Sequence, residues 1–87
     1  MKMTKNTQEK LQDILKRQAY TIRYEKGNFA GGYCLVQDQK VIIINKFHPL
    51  ESKIATLADI IRLVEVDPET LTPDQVKWVN RLKKEEA

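Results

Sequence analysis

The chain has 87 residues, of which 41% are hydrophobic and 31% are charged. We expect a single domain, residues 1–87, with about the first five residues and the last few frayed, because this composition is too apolar for a disordered chain. No stretch approaches the roughly 18 consecutive apolar residues of a membrane span, and residues 1–10 lack the apolar core of a secretory signal. A single cysteine excludes an intramolecular disulfide and fits a reducing compartment. We therefore expect a cytoplasmic protein.

The net charge of +3 is unevenly distributed along the chain. Residues 1–26 carry seven Lys or Arg against three acidic residues, whereas residues 59–87 carry five against seven. This polarity fits an anionic partner for the N-terminal part. It fits equally well complementary surfaces that meet within the fold or between subunits.

The N-terminal part of the sequence predicts a helix followed by a strand. Apolar residues recur at helical spacing over about residues 7–19, after Asn6 and Glu9, which have the spacing of a capping pair. Residues 20–25 then alternate between apolar and polar, which predicts a strand with one dry and one wet face at a sheet edge. The apolar members of this strand are Tyr20, Ile22 and Tyr24.

Residues 31–45 predict a β-hairpin with a tight turn centred on Asp38 and Gln39. The predicted register gives three facing pairs: Val36 with Val41, Cys34 with Ile43, and Gly32 with Asn45. One face of the hairpin then carries Cys34, Val36, Val41 and Ile43, and the other carries Tyr33, Leu35, Ile42 and Ile44. Because both faces are apolar, we expect both to be covered.

Two further helices are predicted, at about residues 49–64 and 73–85, with Pro49 in the first turn of one and Thr72 as the cap of the other. The order α-β-β-β-α-α predicts an α+β fold in which a three-stranded antiparallel sheet is packed with helices. The second helix is expected to cover one face of the sheet. Either the first and last helices or a second subunit would cover the other face.

A pair of glycines marks the end of the hairpin where the second helix begins. Gly31 and Gly32 fall opposite Lys46 and Asn45, where glycine permits a bulge or a close backbone approach. The alternative is a small anion or ligand site at the same corner. Its members would be Gly31, Gly32, Asn45, Lys46 and His48. No phosphate-loop or dinucleotide-binding motif accompanies them.

The sequence gives little support for a catalytic site or a metal site. The hairpin register places His48, the only histidine, on the order of 15 Å from Cys34, so Cys34 is predicted to be a small buried hydrophobe rather than a nucleophile. One histidine and one cysteine cannot form a structural zinc site, and the carboxylates lack calcium-loop spacing. We predict no catalytic residue, no metal and no cofactor.

The stretches VIIIN and ATLADIIRL carry one resemblance to a known family. An apolar strand, a short loop and a helix that reads Thr-Leu-Ala resemble the strand–helix core of small zinc peptidases of the antirepressor-cleaving type. In that family the helix continues with two zinc-binding histidines and a water-activating glutamate, and the matching positions here are Asp59, Ile60 and Leu63. The resemblance, which covers residues 41–63, therefore implies a scaffold without zinc or proteolysis. The chain as a whole resembles short uncharacterised bacterial proteins.

Three functions are left open by the sequence. The first is a non-enzymatic domain that acts through protein–protein contacts, including self-association as a homodimer. The second is a nucleic-acid-binding module that uses the basic N-terminal half. Its predicted surface comprises Lys10, Lys16, Arg17, Arg23, Lys26 and Lys46, with Tyr24 and Phe29 nearby to stack on bases. The third is a small anion or ligand binder at the glycine corner.

Overall fold

The structure, a computed structural model, describes residues 1–27 and 32–85. The helices and strands are α1 (Lys5–Arg17), β1 (Thr21–Glu25), β2 (Tyr33–Val36), β3 (Val41–Asn45), α2 (Leu50–Leu63) and α3 (Pro73–Lys84). A short 3-10 helix, Pro68–Thr70, precedes α3. The predicted α+β class is confirmed, and each predicted helix and strand is found within a few residues of its expected bounds.

The two ends of α1 differ from the prediction. Thr4 is the N-cap, and its hydroxyl accepts a hydrogen bond from the backbone N–H of Thr7 at 3.2 Å. The predicted capping pair of Asn6 and Glu9 is therefore wrong, because the helix already begins at Lys5. At the other end, Ala19 adopts a positive φ of 69° and the Tyr20 N–H donates to the Leu15 carbonyl at 3.2 Å, which stops the helix at Arg17.

The sheet is mixed rather than antiparallel, which corrects the predicted topology. Its strand order is β1-β3-β2, with β1 parallel and β2 antiparallel to β3. The physical reason lies in the strand sequences, since β3 is the most continuously apolar and takes the centre. β1, with Arg23 and Glu25, suits an edge where charged side chains reach water. The prediction that β1 lies at a sheet edge is confirmed.

The hairpin of β2 and β3 has the predicted register. Val36 faces Val41 and Cys34 faces Ile43, around a turn in which the Lys40 N–H donates to the Gln37 carbonyl at 3.2 Å. The predicted pair of Gly32 and Asn45 is not part of the ladder, because β2 begins at Tyr33.

The helical layer lies on one face of the sheet, where α1 contacts β1, α2 contacts β3, and α3 packs on α2. Ile42 and Ile44 of β3 are fully buried in a single core with residues of α1, α2 and α3. The helical members of this core are Leu11, Ile14, Leu15, Ile54, Leu57, Ala58, Ile60, Ile61, Val79 and Leu82. The flanking strand residues that pack against it are Ile22, Tyr24, Tyr33 and Leu35. We call this side the covered face.

The opposite side, which we call the open face, has no helix of the described residues over it. Its apolar row consists of Cys34, Val36, Val41 and Ile43, and Thr21, Arg23 and Glu25 of β1 complete it. The four apolar residues are half-buried and are not part of the core. The expectation that α1 and α3 cover this second face is therefore wrong, because α1 buries its apolar stripe against α2 and the covered face, and α3 packs on α2.

Polar side chains fasten the helical layer together. Gln18 bridges to the 3-10 helix, donating to the Thr70 hydroxyl at 2.6 Å and accepting from the Asp67 N–H at 2.9 Å. Arg62 of α2 donates to the Leu82 carbonyl of α3 at 2.9 Å. Asp13 of α1 accepts hydrogen bonds from Arg17, at 2.9 Å, and from Gln75 of α3, at 2.7 Å.

The same contacts at Asp13 have an electrostatic consequence. The hydrogen bond from Arg17, and then that from Gln75, lower the pKa of the Asp13 carboxyl below its usual value.

The remaining helix starts follow the sequence signals closely. α2 begins at Leu50 with Pro49 as its N-cap residue, one position earlier than the predicted first turn. Thr72 caps α3 as predicted, in a reciprocal capping box with Gln75: the Gln75 N–H donates to the Thr72 hydroxyl and the Thr72 N–H to the Gln75 side chain.

Candidate functional site

The residues of the predicted glycine corner meet at one end of the sheet. β1 and β3 are parallel and β2 is antiparallel to them, so β1 and β3 end where β2 begins. Gly32, Asn45, Lys46 and His48 all lie at this end, just before α2. Gly31 lies outside the described residues.

Gly32 and His48 are in direct contact. Gly32 is buried and has a positive φ of 84°, in the left-handed region that favours glycine. A Cβ atom at this position would lie 2.2 Å from Cε1 and 2.8 Å from Nδ1 of His48. The absence of a side chain therefore allows the imidazole to lie against the backbone, which is the close approach that the sequence predicted for this glycine.

Asn45 uses its side chain to hold the chain around the corner. Its amide nitrogen donates to the Gly27 carbonyl at 3.1 Å, and its amide oxygen accepts from the Phe47 N–H at 3.0 Å. Its own carbonyl accepts from the His48 N–H at 3.2 Å. Both ends of the Asn45 amide are thus engaged within the fold, which makes this residue a structural clasp between the ends of β1 and β3.

Lys46 and Phe47 form the exposed rim of the corner. The Lys46 N–H donates to the Glu25 carbonyl at 3.1 Å, and its ammonium lies 5.2 Å from the centre of the Phe47 ring. Phe47 is 67% exposed, the largest such value among the exposed large hydrophobic residues described. Sequence reasoning missed Phe47, although an aromatic residue in a polar turn between a strand and a helix is a recognisable signal.

The first turn of α2 carries Glu51, and its N-cap residue, Pro49, forms no side-chain cap. A carboxylate there already occupies the positive end of the helix dipole, where a bound anion would have to lie. Anion binding at the glycine corner stays a prediction, and the contacts of Gly32, Asn45 and His48 within the fold give these residues a structural role.

Cys34 lies opposite Ile43, as predicted, but it is half-buried on the open face. The prediction of a buried hydrophobe is therefore wrong. The expected separation of about 15 Å from His48 is also too large, because His48 touches Gly32 and the two residues from Gly32 to Cys34 span at most about 7 Å. No hydrogen bond joins the thiol to the imidazole in the described part of the chain.

The basic residues assigned to a nucleic-acid surface lie in several places rather than on one face. Arg17 donates to Asp13 and to the Thr70 carbonyl, and Arg23 pairs with Glu25 on the open face. Lys26 and Lys46 lie at the end of the sheet.

Of the two aromatic residues of that predicted surface, the structure describes Tyr24, which is not placed to stack on a base. The Tyr24 hydroxyl donates to Gln12 and accepts from Gln8, its ring packs against the core, and burial raises the pKa of the phenol. Phe29 lies outside the described residues.

The open face combines an apolar row with one ion pair. Nη2 of Arg23 lies 2.6 Å from Oε2 of Glu25, two residues along β1. The same oxygen is buried and forms no hydrogen bond of ordinary geometry, so charge rather than an aligned donor holds the pair. The Arg23 side chain is well exposed and that of Glu25 is partly exposed, and a pair of this kind contributes little to stability by itself.

The helix positions that resemble the zinc peptidase core have no metal-binding character. Asp59 is exposed and pairs with Arg62 at 2.7 Å, Ile60 is fully buried, and Leu63 is 57% exposed. Within residues 1–27 and 32–85, no group of three His, Cys, Asp or Glu side chains could hold a metal ion.

Comparisons with known protein families, with curated proteins and with solved structures found no match. Over the part of the chain that the structure describes, no helix combines the length and apolar character that crossing a bilayer requires.

Proposed function

We propose that this chain is a small non-enzymatic domain that acts through protein contacts, and that two copies associate through the open face. One observation carries the proposal. The apolar row of that face lies outside the core and is only half-buried: Cys34, Val36, Val41 and Ile43. Removing apolar surface from water is favourable by about 25 cal/mol per Å², so this row favours contact with protein over contact with solvent.

The charges of the open face favour a second copy as the partner. The face carries one cation, Arg23, and one anion, Glu25, side by side on its edge strand. A two-fold axis through the face would set one apolar row against the other and bring Arg23 of each copy towards Glu25 of the other. A strongly acidic or strongly basic partner would find no net charge to attract it.

The dimensions of the open face predict a weak dimer. Three strands about 4.8 Å apart, of five, four and five residues at about 3.3 Å per residue, give a projected area of roughly 200 Å². The accessible area is larger than this projection but still falls short of the about 800 Å² per partner in a standard interface. We therefore expect association that is reversed by dilution rather than an obligate dimer.

The positions of the nucleophilic and basic side chains support a non-enzymatic role. Cys34 stands in the apolar row of the open face, and His48 packs on Gly32. In the described residues neither is hydrogen-bonded to a carboxylate that would orient a catalytic base. This arrangement favours a role in protein–protein contact over a catalytic role.

Sedimentation velocity over a wide range of protein concentration tests the proposal. We expect a monomer–dimer equilibrium that Ile43→Lys shifts fully to monomer, since the substitution places a desolvated charge at the centre of the open face. Leu63→Lys is the matched control, because Leu63 is an exposed apolar residue of α2. It should leave the equilibrium unchanged.

Labelling of the Cys34 thiol provides a second readout. Labelling of the parent protein should slow as its concentration rises, whereas labelling of the Ile43→Lys variant should not depend on concentration. A parent protein that sediments as a monomer at every concentration would overturn self-association. Equal effects of Ile43→Lys and Leu63→Lys on the dimerisation equilibrium would exclude the open face as the dimer interface.

A further inference from the structure

A cleft of about 590 Å³ lies between the N-terminal part of α1 and α3, away from the open face. Its lining includes four basic residues, one acidic residue and the only tryptophan of the chain: Lys2, Lys10, Lys77, Arg81, Asp74 and Trp78. This volume falls in the range of sites for small organic ligands, which is about 300–1,000 Å³.

The cleft concentrates positive charge that the described fold does not neutralise. Arg17, Arg23 and Arg62 each pair with a carboxylate. The four basic residues of the cleft form no ion pair within the described part of the chain, and the first turn of α1 contains no acidic residue. Several cations around one concave surface raise the local concentration of an anionic ligand.

Trp78 gives the cleft a flat apolar wall. Its side chain is half-buried, packs against the core and lines the cleft. An indole that lines a cleft offers a surface on which a planar ring can stack, as nucleic acid bases do on aromatic side chains. The ligand that fits is therefore an anion with an aromatic ring.

A second cleft of about 460 Å³ adjoins the first and shares four lining residues with it: Asn6, Lys10, Asp74 and Trp78. Its further lining includes Glu9 and Asp13. Asp13 is already engaged by Arg17 and Gln75, whereas Glu9 forms no ion pair in the described residues. Hydrogen-bond acceptors of the second cleft thus lie next to the basic residues of the first.

We infer that this groove binds a nucleoside phosphate. The phosphate lies among Lys2, Lys77 and Arg81, and the base stacks on Trp78. The acidic side chains that line the second cleft, Glu9 and Asp74, accept hydrogen bonds from sugar hydroxyls or from an exocyclic amine of the base. The same chemistry is offered by a free nucleotide and by a nucleotide unit of a single strand.

Titrations of the full chain with AMP, ATP and a short mixed-sequence single-stranded DNA test the inference. The fluorescence of Trp78, the only tryptophan, reports stacking directly, and calorimetry gives the affinity. We expect saturable binding of at least one nucleotide ligand with a change in the fluorescence. Inorganic tripolyphosphate, which has charge but no ring, should bind more weakly and leave the fluorescence nearly unchanged.

Two charge-matched double variants locate the site. Lys77→Ala with Arg81→Ala should weaken binding by about tenfold or more, because charge-assisted contacts to phosphate are lost. Lys26→Ala with Lys46→Ala removes the same charge at the end of the sheet and should change the affinity by less than about threefold after screening by salt. Trp78→Leu should abolish the preference for nucleotide over tripolyphosphate.

Each outcome of these titrations is decisive. Binding of AMP or ATP as tight as that of the DNA identifies a free nucleotide as the ligand. Much tighter binding of the DNA, with a steep loss of affinity as salt rises, identifies a single strand. No saturable binding by any of the three overturns the inference. Equal losses in the two double variants would overturn it as well, because they would reflect net charge rather than a site.

Discussion

The two faces of the sheet are built from the same kinds of residue but have different surroundings. Ile42 and Ile44 of β3 are fully buried beneath the helices, whereas Val41 and Ile43, which alternate with them in the same strand, are half-buried on the open face. Hydrophobicity alone therefore does not decide which face a helical layer covers. The helices bury their stripes against one another as well as against the sheet, and three short helices suffice for one layer.

The largest expected effect tests this difference within one strand. Ile42→Ala should lower the free energy of unfolding by about 2–5 kcal/mol, because it leaves a cavity in a fully packed core. Ile43→Ala removes the same atoms from the neighbouring residue and should cost only about 1–2 kcal/mol in the dilute protein, where those atoms are already partly hydrated. Urea unfolding of both variants gives the comparison.

The same unfolding experiment is repeated at several protein concentrations. The cost of Ile43→Ala should grow as concentration rises if the open face is buried in a dimer, whereas that of Ile42→Ala should not. A cost at Ile43 that equals the cost at Ile42 even at high dilution would contradict the division into a covered and an open face.

The local elements were predictable because their signals are short-range. Residue alternation identified β1, two apolar stretches around Asp38 identified the hairpin, and Thr72 identified the start of α3. The strand order was not predictable in this way. The seven residues that separate β1 from β2 allow β2 to lie on either side of β1, and only the packing of the complete chain selects β3 as the central strand.

The candidate site was predicted only in part. Gly32 and His48 were placed at one corner because both lie just beyond the hairpin ends, but the contact between them depends on the turn at Lys46 and Phe47, which has no strong sequence signal. The groove beside Trp78 was not anticipated. It joins residues of α1 and α3 that are about 70 positions apart, and a stripe on either helix alone does not reveal it.

The second prediction concerns the glycine corner at the end of the sheet. Gly32→Ala should destabilise the protein by about 2–4 kcal/mol, because it adds a left-handed strain of about 1–2 kcal/mol to a clash with the His48 ring. In a His48→Ala background the clash is gone, so the same change should cost only about 1–2 kcal/mol. Chemical unfolding of the four proteins of this double-mutant cycle measures the difference.

The coupling energy from this cycle distinguishes a packing contact between Gly32 and His48 from a site in which His48 binds a ligand. A coupling energy near zero between the two positions would contradict the contact. It would also restore the glycine corner as a space in which His48 is free to meet a ligand.

The third prediction, and the smallest, concerns the turn that carries the chain from the helical layer into β1. Ala19 holds a φ of 69° while its N–H donates to the Lys16 carbonyl at 2.9 Å, a conformation that costs a side-chain-bearing residue about 1–2 kcal/mol. Ala19→Gly removes that strain but makes the unfolded chain more flexible, at a cost of about 0.4–1 kcal/mol. A net gain of up to about 1 kcal/mol is expected, which would raise Tm by about 4–8 °C in a domain of this size.

An exposed alanine in the middle of α2 supplies the control for that measurement. Ala55→Gly makes the same chemical change where the backbone is helical, and it should lower stability by about 0.5–1 kcal/mol. Opposite signs at the two alanines would establish that the left-handed turn, and not glycine as such, sets the outcome. A loss of stability at both would mean that Ala19 does not adopt this turn in solution, and the exit from α1 into the edge of the sheet would need a different geometry.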